Sequence, residues 1–233
     1  MIKAMQDKNE ILKNYYEKYF HQLCYSGVQS KGSSYIHRSL EKYWIEKQPN
    51  SILEVGAGAG EHFGFINTGY ETERIHYVAT DLHNRNKNSN FTHNNINLSW
   101  VNANVEKLPF RNNLFDRCLA TCLFLHLDNP FEALKELRRV AKNGGEIVIA
   151  YPTDPGLMNR TIKSLITKRQ AKKIGLKEYD LINSLEHRNH VSGLLKMQNH
   201  IFRNDLIKNH YLPFQIPSWN ANLLVISHIK VGK

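Results

Sequence analysis

The segment with the most chemical content is Ile52-Leu53-Glu54-Val55-Gly56-Ala57-Gly58-Ala59-Gly60, an apolar run that enters a glycine-rich turn. Glycines at such a point let the chain reverse sharply and let a ligand approach bare backbone, and a helix starting there offers unpaired N–H groups. A dinucleotide fingerprint would carry a third glycine or alanine at position 61, but Glu61 stands there and would repel a pyrophosphate. The spacing is G-x-G-x-G with an acid, Glu54, two residues upstream, which suits a cationic ligand without phosphate. Asp81 ends a second apolar run, Tyr77-Val78-Ala79-Thr80-Asp81. A carboxylate there can accept both hydroxyls of a ribose, each charge-assisted bond contributing about 1.5–3 kcal/mol.

Other side chains with chemical potential lie further along. Glu186, His187 and His190 cluster in sequence, and the two histidines, read as one helix, share a face at i, i+3. No third marked ligand accompanies them, so no metal site is expected. Between Gly156 and Lys177 lie seven basic residues and no acidic one. Leu157, Met158, Ile162, Leu165 and Ile166 recur there at helical spacing, which predicts a basic amphipathic helix with an apolar inner stripe. Such a helix is either a solvated outer face or a dock for a phosphate-bearing substrate, RNA or an anionic membrane surface. Aromatic residues are not interleaved with its basic ones, which argues against stacking on bases and against a nucleic-acid partner.

These residues need a scaffold. Five apolar segments, Ser51–Val55, Ile75–Thr80, Leu98–Asn102, Arg117–Cys122 and Glu146–Tyr151, alternate with helical or loop segments, the rhythm of a parallel sheet built from βαβ units. One helix is well marked: Asn129 to cap it, Pro130 at its first position, Glu132 as the capping-box acid, and Asn143-Gly144-Gly145 to stop it. Leu134, Leu137 and Ala141 then face the sheet. The expected architecture is α/β, a Rossmann-like doubly wound sheet of about seven strands, mostly parallel with an antiparallel edge strand. A single domain spans residues 1–233. Residues 1–50 are read as a helical cap, with Tyr15, Tyr16, Tyr19 and Phe20 on its first helix, a Gly/Ser connection around Ser26–Ser34 and a second helix over Tyr35–Lys47. Residues 51–152 form the core and 153–204 a helical insertion. Residues 205–233 form an edge hairpin, where Pro213 and Pro217 would break a central ladder. Asn84–Asn97 reads as a polar loop.

Bulk properties narrow the class. The chain has 233 residues, 41% hydrophobic and 22% charged, an ordinary globular composition long enough for one sizeable core. No apolar run is long enough to span a bilayer, and the N-terminus lacks the apolar stretch of a secretory signal, so a cytoplasmic location is expected. Three cysteines without paired spacing fit a reducing compartment, Cys118 and Cys122 serving as small buried hydrophobes. The net charge of +10 is a statement about partners, not about fold.

The glycine turn, Asp81, the block Asn104-Val105-Glu106-Lys107-Leu108-Pro109-Phe110 with Phe115-Asp116, and the helix and glycine pair within Ala133–Ile149 occur in one register. Together they resemble the class I S-adenosylmethionine-dependent methyltransferases, in particular the small-molecule, type 11-like branch, over about Ser51 to Tyr151. The resemblance implies transfer of a methyl group from S-adenosylmethionine, leaving S-adenosylhomocysteine, to an oxygen, nitrogen or carbon of a small-molecule acceptor, anionic if the basic segment takes part. It implies that Gly56, Gly58 and Gly60 line the methionine and ribose, that Glu54 supports the ammonium side, and that Asp81 holds the ribose. Leu82 would pack on the adenine, with the Val105 N–H and the Asn104 amide oxygen at its edge; Asn104 replaces the family's usual aspartate. Thr121 would touch the methionine end. The insertion would form a lid, and His126, in the loop after the fourth strand, would be placed to act as a general base, with His190 of the lid as a second candidate. Two alternatives stay open: methylation of RNA or of a phosphate-bearing sugar or lipid through residues 156–177, and a non-catalytic module that keeps the cofactor fold. Neither the acceptor nor the oligomeric state is legible.

Overall fold

The computed structural model describes residues 2–24, 27–42, 49–66, 74–82 and 96–232. Seven strands form one sheet: β1 (Ser51–Val55), β2 (Ile75–Asp81), β3 (Ile96–Asn102), β4 (Phe115–Thr121), β5 (Ala141–Pro152), β6 (Leu206–Leu212) and β7 (Leu224–Lys230). Their order is β3-β2-β1-β4-β5-β7-β6. β7 runs antiparallel to both β5 and β6, so the antiparallel strand is the second from the edge and β6 is the edge itself. β1 pairs in parallel with β2 on one side and β4 on the other. Chain order reverses between β1 and β4, and an open sheet of this kind has its ligand crevice outside the carboxyl ends of those two strands.

Alternation along β1 splits the interior into two layers. Leu53 and Val55 join Cys118, Ala120, Ile147 and Ile149 under α4 (Pro130–Val140) and α8 (Val191–Ile201). Ile52 joins Tyr77, Ala79, Leu119, Val148 and Phe63 beneath α3 (Gly27–Lys42) and a 3-10 turn over Glu61–Phe65. Asn129 caps α4 as the sequence suggests, its side chain accepting the Glu132 N–H at 3.3 Å, and Leu134, Leu137 and Ala141 are fully buried. The helix nevertheless ends at Val140, before Asn143-Gly144-Gly145, because Ala141 already adopts extended backbone as the first residue of β5. Gly145 fits there because it is glycine: a Cβ would lie 2.9 Å from the backbone oxygens of Asp116 and Lys142.

Outside the core three expectations change. The Gly/Ser stretch before Tyr35 is helical, part of α3 from Gly27 to Lys42, since tertiary packing of Ile36 and Leu40 on the sheet outweighs the weak propensity of its glycines and serines; the ends expected at Ser26 and Lys47 lie outside the described residues. The basic segment is not one continuous α-helix but α5 (Leu157–Ile162), a π turn (Lys163–Thr167) and α6 (Lys168–Lys173). Leu157 and Leu165, expected on the inner stripe, are 67% and 51% exposed, while Ala171 beyond the π turn is fully buried. Finally, α7 (Tyr179–Glu186) stops before His187, and His190 caps α8, so His187 and His190 never share a helix face.

The cap and the insertion meet. Tyr15 and Leu23 from α1 (Ile2–Lys18) and α2 (Phe20–Cys24) pack with Ala171, Leu176 and Ile182 into a third apolar cluster, with Tyr16, Tyr19 and Phe20 at its margin. The polyaromatic face of α1 is therefore core of this smaller cluster. The Asn84–Asn97 loop falls outside the described residues up to position 95, and Ile96 and Asn97 open β3.

Candidate active site

β1 delivers the chain into a turn in which Gly56, Gly58 and Gly60 all have positive φ, +65°, +57° and +85°, backbone that side chains with a Cβ rarely adopt. Thr80 O and Ala57 O accept the N–H groups of Ala57 and Gly60, and the Asp81 Oδ2 accepts the Gly58 N–H at 2.9 Å. The carboxylate expected to hold a ribose thus also fixes the glycine turn across the tips of β1 and β2. A Cβ on Gly58 would meet nothing within 4 Å, so the turn is open on that side, whereas one on Gly60 would lie 2.9 Å from the ring of Trp100. Gly60→Ala is therefore expected to lose about 1–3 kcal/mol of stability in urea unfolding, and Gly58→Ala, strained only in φ, distinctly less. Equal losses would mean that Trp100 does not set the turn.

Glu54 is 2% exposed and accepts the Tyr77 hydroxyl at 2.7 Å. Burial pushes its carboxyl up to about 8, the Tyr77 bond only partly opposing this and the charges of Glu61, Asp81 and Glu41 adding to it. It is thus mostly protonated at neutral pH. An unfolded carboxyl titrates near 4.5, so between the two values the folded state binds the extra proton. This contribution to stability is complete below 4.5 and is lost as pH rises through about 8. The unfolding free energy from urea titrations should fall over that interval, by up to about 1.4 kcal/mol per pH unit, and Glu54→Gln should flatten the decline; an unchanged pH slope in that variant would refute the assignment.

Leu82, just past β2, is 56% exposed. The Asn104 Oδ1 accepts the Glu106 N–H at 2.9 Å, closing a turn with Lys107 N on Asn104 O, and one oxygen lone pair remains. Val105 is 6% exposed. Thr121 ends β4, and its buried Oγ1 has no protein partner among the described residues. A Cβ on Gly56 would lie 2.7 Å from Leu123, so the glycine turn abuts the loop after β4. A glycine turn open at Gly58, an exposed apolar residue after β2 and an orphaned hydroxyl at the end of β4 fit a nucleoside carrying a polar tail. A separate hollow of about 620 Å³, lined by Phe131, Arg138 and His200 among others, flanks α4 and α8 and shares no residue with the crevice.

Beyond β4 and β5 a polar cluster joins the core to the helical insertion. The His126 Nδ1 lies 3.0 Å from Glu186 O and 3.5 Å from Glu186 Oε2, and Glu186 also accepts the Tyr16 hydroxyl from α1. The His126 ring meets that of His187 edge-on at 5.2 Å. The His187 Nδ1 is 2.5 Å from Asp154 Oδ2, and Lys163 Nζ donates to the same oxygen at 2.5 Å and to Asn183 Oδ1 at 2.9 Å. Burial would raise the Asp154 carboxyl, but the bonds from His187 and Lys163 outweigh it and hold it well below the usual carboxylate range. His190 stands apart, exposed, with its carbonyl accepting the Gly193 and Leu194 N–H groups. Sequence reading missed Asp154 and Lys163. The available signal was an acid directly after the fifth strand; the pairing with residues 9 and 33 positions away exists only in three dimensions. Cys118 and Cys122 have no such role: burial raises both thiols, that of Cys122 to about 12.

Residues 53–149 match the protein family described as "Methyltransferase domain". The match covers 97 of the 233 residues, the stretch from β1 into β5 that holds the glycine turn and Asp81. The domain is similar to the ubiquinone/menaquinone biosynthesis C-methyltransferase of Coxiella burnetii, 39% identical over 61 residues, 26% of this chain and 24% of the relative. The same-named enzyme of Vibrio cholerae is 26% identical over 147 residues, 58% of this chain and 56% of its own length. The chain thus spans between a quarter and somewhat over half the length of these curated relatives. The fold is shared with the plantazolicin methyltransferase BpumL, solved with a monoazolic desmethylPZN analogue and S-adenosylhomocysteine, at TM-score 0.67 and 15% identity, covering 100% of this chain and 98% of that one. It is also shared with the PH0226 protein of Pyrococcus horikoshii, at TM-score 0.62 and 14% identity over 93% and 98% of the two chains.

Proposed function

We propose that the chain is an S-adenosylmethionine-dependent methyltransferase acting on a small-molecule acceptor. The observation that carries this reading is the crevice at the β1/β4 reversal, where the glycine turn is pinned to Asp81 and left open at Gly58. The methyltransferase domain match and the curated relatives named as C-methyltransferases support it. When bound, the cofactor supplies a methyl group already activated on a sulfonium, so the protein's part is to align the acceptor and exclude water. Gly56, Gly58 and Gly60 would take the amino-acid end, with the buried, mostly protonated Glu54 upstream of them in β1, Asp81 the ribose, Leu82, Asn104 and Val105 the adenine, and Thr121 the methionine side. The lid formed by α5 to α8, closed from the α1 side by Tyr16 on Glu186, would shield the transfer from solvent.

Calorimetric titration with S-adenosylmethionine is the test: saturable binding together with S-adenosylhomocysteine release from a metabolite pool is the expected result. Absence of binding by the intact protein would reject the reading, and binding without product would favour a non-catalytic module. The alternative of RNA or a phosphate-bearing acceptor draws on the basic residues of 156–177, but Lys163 is committed to Asp154 and Lys168 to Asp180, which lowers the charge on offer.

A further inference from the structure

The Asp154–His187 pair is not required to hold a cofactor, and its placement asks for another explanation. Asp154 follows the carboxyl end of β5, His187 follows α7, and His126 lies on the loop after the neighbouring strand β4, so three separate segments meet at the His187 ring. Among the described residues, the charged or titratable groups around His187 are Asp154, Lys163 of the π turn, Glu186 of α7, and His126. His187 keeps its side chain 23% exposed while Asp154 is 10% exposed beneath it, the arrangement of a buried carboxylate supporting an imidazole that can still be reached.

Nδ1 of His187 lies close to both Asp154 Oδ2, at 2.5 Å, and Lys163 Nζ, at 2.9 Å, and it cannot donate to one and accept from the other at once. Lys163 already has two acceptors, Asp154 Oδ2 and Asn183 Oδ1. The shorter, charge-assisted contact therefore takes the ring proton, and Nδ1–H donates to Asp154. Nε2 then carries the lone pair and has no protein partner among the described residues.

We propose that His187, oriented by Asp154, is the general base that takes the proton of a hydroxyl-bearing methyl acceptor. This rests on the methyltransferase reading above. A hydroxyl is a weak nucleophile until its proton leaves, whereas a neutral amine brings its own lone pair, so a base placed at this point selects the hydroxyl class. The acceptor oxygen bonds to the methyl carbon, the carbon–sulfur bond breaks with its electron pair returning to sulfur, and the acceptor proton passes to His187 Nε2. Asp154 stays ionised and balances the imidazolium, while Lys163 keeps Asp154 from turning away. His126, whose Nδ1 is 3.0 Å from the Glu186 carbonyl, acts as a positioning residue that closes the side of the His187 ring.

Two measurements decide it. Nitrogen-15 spectra of the histidine rings, with His187 assigned through His187→Gln, should show protonated Nδ1 and bare Nε2 at neutral pH, with or without S-adenosylhomocysteine. Asp154→Asn should abolish that preference. A ring protonated on Nε2, with Lys163 donating to Nδ1, or a doubly protonated ring throughout, overturns the proposal. In parallel, S-adenosylhomocysteine release is followed with a panel of phenols, aliphatic alcohols, amines and carbon acids. His187→Gln should lower turnover of hydroxyl acceptors by about 10²–10⁴-fold, leave affinity for S-adenosylhomocysteine within twofold, and regain rate as pH approaches the acceptor's own ionisation. Undiminished turnover in that variant, or turnover of amines or carbon acids alone, also overturns the proposal. Should the panel give no turnover, the tautomer decides. Failure of the parent protein to bind S-adenosylhomocysteine would instead strike the cofactor reading, which the ring spectra do not depend on.

Discussion

Replacing Arg117 by alanine is expected to destabilise the protein by about 3–5 kcal/mol, since removing one member of a buried ion pair strands the other in a poorly solvated place. Arg117 is 1% exposed inside β4. Its Nη1 lies 2.8 Å from Glu41 Oε1, and its Nη2 donates to Leu40 O at 3.3 Å, so the guanidinium fastens α3 to the sheet. Glu41 also meets His62 Nε2 at 3.1 Å, and His62 stands 3.1 Å from His37 through their Nδ1 atoms. Burial lowers the His62 pKa despite the carboxylate beside it, and the Arg117 charge adds to this, so the imidazole is neutral while Arg117 is in place. Urea unfolding of Arg117→Ala should therefore show a large loss, while the double change Arg117→Met with Glu41→Gln should recover much of it, because no charge remains buried. A single-variant loss under 1 kcal/mol would mean that the guanidinium does not anchor the helix. Because α3 covers the 3-10 turn that follows Gly60, loosening it should also weaken ligand binding at the crevice.

Asp81→Ala carries the largest expected effect on function. Two charge-assisted bonds to ribose hydroxyls contribute about 1.5–3 kcal/mol each, so the Kd for S-adenosylmethionine should rise by roughly 10²–10⁴-fold. The Gly58 N–H loses its acceptor in the same change, which unpins the turn and adds to the effect. Asp81→Asn keeps an acceptor for Gly58 but not the charge, and should fall between the two. Thermal stability should move far less than affinity, since the carboxylate is half-exposed at a strand end and surface changes cost little. Calorimetric titration of both variants is the check; an affinity change under tenfold would place the ribose elsewhere.

How far the sequence reaches can be judged residue by residue. Strand positions and the cap of α4 were legible because they depend on local signals: apolar runs bounded by turn residues, an asparagine before a proline. The glycine turn and Asp81 were legible for the same reason, each lying at the end of a strand whose direction the pattern already implied. The end of α4 was not, since it is set by Ala141 joining β5 and not by the glycines that follow. The basic segment was misread because a π turn at Lys163–Thr167 rotates the later residues, and periodicity assumes a constant rotation per residue.

By itself the sequence determined the layered α/β scaffold and the tips of its first two strands, because these arise from hydrophobic alternation and backbone freedom within a few residues. Only the tertiary structure decided which polar side chains share one environment. Arg117 with Glu41, Glu54 with Tyr77, and Asp154 with Lys163 and His187 are joined across elements. Their protonation states follow from burial and neighbours that no spacing in the chain records.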